Sequence, residues 1–133
     1  MAFDIVKTNI AELAETGYEF AVKLPDGTPT DFSITVRGQH SPSVKAYSKR
    51  VFNQMQIKEQ QAKRKGKDFD LSLEDAEDMA VDSAVTRIVT WKGLEEDGKE
   101  IKFSAENAKR IMRELDWVRA QVLEESDIAA NFI

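Results

Sequence analysis

The chain contains two neighbouring segments in which apolar and polar residues alternate. The apolar positions are Tyr18, Phe20, Val22 and Leu24 in the first segment and Phe32, Ile34 and Val36 in the second. Alternation on both sides of an Asp26-Gly27 turn predicts an antiparallel β-hairpin over about residues 17–38. Because an isolated hairpin is only marginally stable in water, we expect it to pack against a helix or to pair along its edges. Those edges are therefore candidate assembly surfaces.

Four later segments repeat their apolar residues at three- and four-residue spacing, which predicts helices over about residues 42–64, 73–90, 104–115 and 117–129. Ser41, Ser72 and Ser104 precede the first three segments and are expected to cap them. The apolar stripe of the first helix is Val44, Tyr47, Val51, Phe52 and Met55. The second helix carries apolar residues around much of its circumference, including Val81, Val85 and Val89, and is expected to lie at the centre.

These elements predict one domain over residues 1–133, of the α+β class and mostly helical, with about four helices and one N-terminal antiparallel β-hairpin. Composition agrees with this interpretation, since hydrophobic residues make up 41% and charged residues 32% of the chain. No long apolar run and no basic, apolar leader is present, and cysteine is absent. We therefore expect a cytosolic protein that makes no membrane contact.

Net charge bears on the choice of partner. A formal charge of -5 argues against a dedicated nucleic-acid binder, because phosphate binding depends on concentrated Lys and Arg. A protein partner is expected instead.

The charges are unevenly placed along the chain. A segment at 58–67 with five basic residues and one Glu precedes seven acidic residues between Asp68 and Asp82. One hypothesis is that Lys63 and Arg64 of one copy face Asp75 and Asp78 of another copy in a head-to-tail assembly.

No set of residues predicts catalysis or a cofactor. His40 is the only histidine, and the serines beside it are better explained as cap and turn residues than as nucleophiles. Asp75, Asp78 and Asp82 share one helical face with Glu74 close by, but they lack the glycine-containing loop of a calcium site. We therefore predict no enzyme activity, no metal and no cofactor.

Large apolar residues near the C-terminus are candidates for partner contacts. Trp117 follows a charged corner and, as a large aromatic residue, could anchor an interface. Ile128 and Phe132 lie in the final segment, where apolar residues either complete the core or contact a partner.

The order of motifs in the last third resembles a known family. Trp91-Lys92-Gly93, then an acidic glycine turn, then Phe103-Ser104-Ala105-Glu106-Asn107 and an aromatic residue at Trp117, is similar to the tail assembly chaperones of lambda-like long-tailed bacteriophages. The lysine-rich stretch at 58–67 and Asp116, where relatives often have Pro, depart from that pattern.

The resemblance implies a small helical protein with a β-hairpin that acts in the host cell cytoplasm and is absent from the mature virion. It implies binding and solubilisation of the tape measure protein, recruitment of the tail tube protein and self-association into multimers. The alternative is a non-enzymatic phage or prophage adaptor or regulatory protein.

Overall fold

The computed structural model describes residues 1–133 as six α-helices and five β-strands. The helices are α1 (Ile5–Thr8), α2 (Ala11–Thr16), α3 (Pro42–Arg64), α4 (Leu73–Arg87), α5 (Ala105–Glu114) and α6 (Asp116–Asp127), and a 3-10 helix covers Ala129–Phe132. The strands are β1 (Tyr18–Lys23), β2 (Pro29–Val36), β3 (Ile88–Lys92), β4 (Glu95–Glu96) and β5 (Lys99–Glu100). The mostly helical α+β class is confirmed, whereas the helix count is higher than predicted. None of the helices is both long enough and apolar enough to span a lipid bilayer.

The predicted hairpin is part of a larger sheet. β1 and β2 pair antiparallel, with Tyr18 opposite Val36, and β3 pairs antiparallel with the other side of β2. The hairpin is also not the first element of the chain, because the short helices α1 and α2 precede it. The edge of β2 is therefore covered, and of the two hairpin edges only that of β1 remains open, with Lys23 at its end hydrogen-bonded to the side chain of Gln121.

One face of the three-stranded sheet packs against α4, α5 and α6. Five of the seven alternating apolar residues of the hairpin are buried in this core, as their period of two predicts, whereas Tyr18 and Leu24 are exposed. The buried core residues of the sheet are Phe20, Val22, Phe32, Ile34, Val36, Ile88 and Trp91, and those of the three helices are Val81, Ala84, Ala108, Ile111, Met112, Val118 and Val122.

The prediction of a helix over 73–90 is wrong at its C-terminal end, where α4 stops at Arg87 and β3 begins at Ile88. Arg37, the residue after β2, binds the backbone at this junction. Its backbone N–H donates to Arg87 O at 2.6 Å, and its Nη1 donates to Thr86 O at 3.0 Å and to Ile88 O at 3.1 Å. The carbonyl groups that a further helical turn would have used thus accept hydrogen bonds from Arg37 instead. Val89 consequently belongs to a strand and not to a helical stripe.

Arg37 also joins α2 to α3 through Glu15. Arg37 Nε donates to Glu15 Oε2 at 2.8 Å, and Ser43 donates to the same carboxylate through its backbone N and its Oγ, both at 2.9 Å. On the other side, Ser126 Oγ of α6 donates to Arg37 O at 2.7 Å. One arginine and its neighbours therefore connect the sheet to four of the helices.

The motifs Trp91-Lys92-Gly93 and Phe103-Ser104-Ala105-Glu106-Asn107 have structural roles. Trp91 lies between Phe32 and Phe103 in edge-to-face contacts, and its Nε1 donates to Ile101 O at 2.9 Å. Ser104 caps α5 by accepting from Asn107 N at 3.1 Å, and Asn107 Nδ2 donates back to Lys102 O at 2.9 Å. The two motifs fix the path of the chain from β3 into α5.

Gly93 provides a test of this path. Its φ of +82° is unfavourable for other residues, and a Cβ there would collide with the carbonyl oxygen of Asp31. We expect Gly93→Ala to lower the free energy of unfolding by about 3 kcal/mol, because the backbone strain and the collision add. Urea unfolding measures the change.

Gly98→Ala is the matched control, since Gly98 has a φ of +77° but no atom lies within 4 Å of the place that a Cβ would occupy. It is expected to lose only about 1 kcal/mol, from the backbone conformation alone. Equal losses in the two variants would contradict the close approach of β3 to Asp31.

Glu15 predicts a pH dependence of stability. The hydrogen bonds from Ser43, and secondarily the contact with Arg37, hold the pKa of Glu15 below its ordinary value of 4.5. A lowered pKa means that the interaction stabilises the fold above pH of about 4.5 and is lost as pH falls through the folded-state pKa. We expect Glu15→Gln to be less stable than wild type at pH 7 and to approach it below pH of about 4. Thermal unfolding at several pH values measures this, and a pH-independent difference would contradict it.

Candidate functional site

We refer to α3 and the start of α4, over about residues 42–75, as the α3–α4 arm. Its outer side is exposed. α3 begins at the buried cap Ser41, whose Oγ accepts from Val44 N at 3.0 Å, and Pro42 occupies its first turn. Val44 is its only buried residue, and Tyr47, Val51 and Met55 are half-buried. The prediction that Phe52 belongs to the inner stripe is wrong, because its side chain is 61% exposed. It lies about 100° around the helix axis from Val51 and so turns away from the core.

The basic end of α3 is free. Lys63 and Arg64 are both exposed in the last turn, where cations suit the negative end of the helix dipole. Lys63 Nζ lies 3.9 Å from Glu59 Oε1, a pair in which the side chains are 77% and 57% exposed and which contributes little to stability. Arg64 has no ion-pair partner within the chain. Both cations therefore remain available to another molecule.

The two acidic candidates on α4 differ from each other. Asp75 is exposed in the first turn, and its backbone N–H donates to the cap residue Ser72 at 3.0 Å. Asp78 Oδ1 instead lies 2.8 Å from Arg113 Nη2 of α5. Asp78 thus joins two helices of its own chain, and the hypothesis that it faces another copy loses support. Sequence reasoning missed this pair because Arg113 is distant in the chain.

The three apolar candidates near the C-terminus also differ. Phe132 is only 3% exposed and packs edge-to-face on Tyr18, with ring centroids 6.3 Å apart, so it completes the core and its prediction as a contact residue is wrong. Trp117 is half-buried against the core. Ile128 is 39% exposed at the end of α6 and keeps its place as a surface candidate.

Further apolar side chains are exposed that the periodicity did not single out. Leu73, at the start of α4, is 92% exposed, and Ile57 of α3 is 54% exposed. Phe3, Ile5 and Val6 of the N-terminal segment are 77% exposed or more. The sequence does carry one indication of this exposure. These residues do not belong to a continuous apolar stripe, and a residue outside such a stripe does not face the core.

His40 does not lie in a catalytic arrangement. It is half-buried beside a depression that is also lined by Thr8, Asn9, Ile10, Ala11 and Lys45, none of which has a carboxylate. No three His, Asp or Glu side chains lie close enough together to hold a metal ion, and this includes the acidic face of α4. The residues that line this depression therefore offer His40 no carboxylate partner.

The exposed residues of the α3–α4 arm and of α6 thus form the candidate site for binding other proteins.

Comparison with known proteins adds one finding. No curated protein and no solved structure matches the chain. A family model described as YdaY prophage protein matches residues 46–133, from within α3 to the C-terminus, which is more than half of the chain. The chain belongs to the YdaY family of prophage proteins.

Proposed function

We propose that this prophage protein is a tail assembly chaperone that binds the tape measure protein, keeps it soluble and promotes assembly of the tail tube around it. The main support is the set of large apolar side chains left outside a core that is already well packed. Leu73, Phe52 and Ile57 on the α3–α4 arm are 92%, 61% and 54% exposed. In this proposal these side chains supply the apolar contacts to the client, because an apolar partner would remove them from water.

The motifs in the last third support the proposal indirectly. Trp91, Gly93 and Ser104 position β3 and α5, so their resemblance to the phage chaperones concerns a shared way of folding. They do not identify the client. The client is instead inferred from prophage origin and from the exposed apolar surface of a small helical protein.

A chaperone of this kind needs contacts that can be released. Each contact of micromolar strength corresponds to about 8 kcal/mol, and many copies along one long client gain avidity from being linked. Separate exposed side chains on one arm suit such contacts better than a deep pocket does. In this proposal the protein acts in the host cytoplasm and leaves before the virion is complete.

Self-association is a further part of the proposal. Lys63 and Arg64 are exposed at the end of α3, and Asp75 is exposed at the start of α4. If each copy uses its cations toward one neighbour and its Asp75 toward another, the contact is heterologous, which produces rings or spirals instead of closed pairs.

Co-expression tests the chaperone role. We expect the tape measure protein of the same prophage to be soluble with this chain and insoluble without it, and to co-purify with it. Ile128→Ser should reduce the amount that co-purifies, because Ile128 is 39% exposed and its change leaves the core intact. The control is Ala130→Ser, at an exposed position of the same segment. A tape measure protein that stays insoluble would contradict the proposal and favour an adaptor or regulatory role.

Charge reversal tests self-association. We expect the double variant Lys63→Glu, Arg64→Glu to associate roughly tenfold more weakly in analytical ultracentrifugation at low salt, because two favourable charge contacts become repulsive. Adding Asp75→Lys should recover association. Raising salt should weaken the wild-type assembly, since the contact lies at the surface. A wild-type chain that is monomeric at every salt concentration would exclude this contact.

A further inference from the structure

The exposed side of α3 carries two lysines and a large apolar residue in one stripe. We define the outer face of α3 as Lys45, Lys49 and Phe52, all of which are exposed. At 100° per residue these three lie about 80 to 140° around the helix axis from Val44, the residue that enters the core, and within about 60° of one another. The face covers about two turns of the helix.

The outer face has no negative charge of its own. The helix contains no acidic residue between Pro42 and Lys58, and its single acid, Glu59, follows this stretch and pairs with Lys63. Lys45, Lys49 and Arg50 form no ion pair within the chain. A chain with a net charge of -5 therefore presents a positive surface on one long helix.

We propose that the outer face of α3 binds an acidic amphipathic helix of the client, an inference that rests on the proposed chaperone function. Lys45 and Lys49 are four residues apart, and glutamates four residues apart on a client helix match that spacing. An apolar residue of the same client helix would then contact Phe52, three residues beyond Lys49. A helix fits better than an extended peptide because the charged and apolar contacts lie along one straight side of α3.

A protein helix is favoured over nucleic acid by two features of the surface. Phe52 is 61% exposed, and a phosphate backbone would leave it without an apolar partner. The acidic segment Asp68–Asp78, which follows the end of α3, would repel a polyanion that continued along the arm. An acidic helix with apolar residues contacts both lysines and Phe52 together.

Fluorescence anisotropy with two synthetic helical peptides tests the proposal. The patterned peptide carries glutamates at four-residue spacing followed by leucines on the same side, and its isomer has the same composition with these residues scattered around the helix. We expect the patterned peptide to bind roughly tenfold more tightly than the isomer, because only its charges and leucines contact α3 together. Equal binding of the two peptides would overturn the proposal.

Variants separate the two kinds of contact. Lys45→Glu with Lys49→Glu should weaken binding of the patterned peptide roughly tenfold or more, and Phe52→Ser should weaken it by a similar factor. The matched control is Lys102→Glu with Lys109→Glu, which changes the net charge equally at exposed positions outside α3 and should bind like wild type. Circular dichroism confirms that each variant is folded. A control that loses as much affinity would show only a nonspecific charge effect and overturn the proposal.

Two other occupants give different results. Tighter binding of a DNA duplex than of the patterned peptide would assign the face to nucleic acid. A peptide that binds only by dissociating wild-type multimers would assign it to the acidic segment of a second copy. Either result overturns the proposal. Loss of tape measure solubility with peptide binding retained would refute the chaperone function alone, whereas solubilisation that survives Lys45→Glu with Lys49→Glu would refute this inference alone.

Discussion

The position of Arg37 at the junction of α4 and β3 is the constraint on which the rest of the fold depends. Its guanidinium donates to Thr86 O and Ile88 O, where the helix ends and the strand begins. That strand pairs with β2 and brings Trp91 into the core between Phe32 and Phe103. The same arginine orders α2 and the start of α3 through Glu15. Sheet, core and arm are therefore linked through one side chain, because buried carbonyl groups require a donor and Arg37 supplies several.

The packing of the sheet against the helices determines which surfaces remain exposed and available for binding. The sheet and α4, α5 and α6 bury one another, so their apolar residues are used in the core. α3 contributes one buried residue and a half-buried stripe, and the remainder of its length is exposed. A helix held at one end by a buried cap and a carboxylate network can project without being covered. The exposed candidates Lys63, Arg64 and Asp75 consequently lie at the end of α3 and the start of α4, and Ile128 lies directly after α6.

Local sequence signals predicted much of this fold, and distant contacts account for what they missed. The hairpin, the serine caps and the inner residues of α5 follow from short-range patterns whose physical causes are local. The end of α4 could not be predicted, because Ile88 and Val89 fit a helical stripe as well as a strand and Arg37 decides between them from far away in the chain. For the candidate site, the partners of Asp78 and Phe132 could not be predicted for the same reason, since Arg113 and Tyr18 meet them only in the folded chain. Arg64, Asp75 and Ile128 are exposed and stay candidates for partner contacts.

Net charge, finally, is a poor guide to a protein whose charges are segregated by element. The overall value of -5 argued against a nucleic-acid binder, yet it does not reveal that α3 lacks any acid over its first four turns and that the acids are concentrated from Asp68 onward. Screening limits electrostatic interactions to about 8 to 10 Å in physiological salt, so a partner on the outer face of α3 would respond to the charges of that helix and little to those across the molecule. The relevant quantity for recognition is therefore the local charge of α3. Such screened surface contacts set orientation and rate of association more than strength, which suits the transient client binding that we propose.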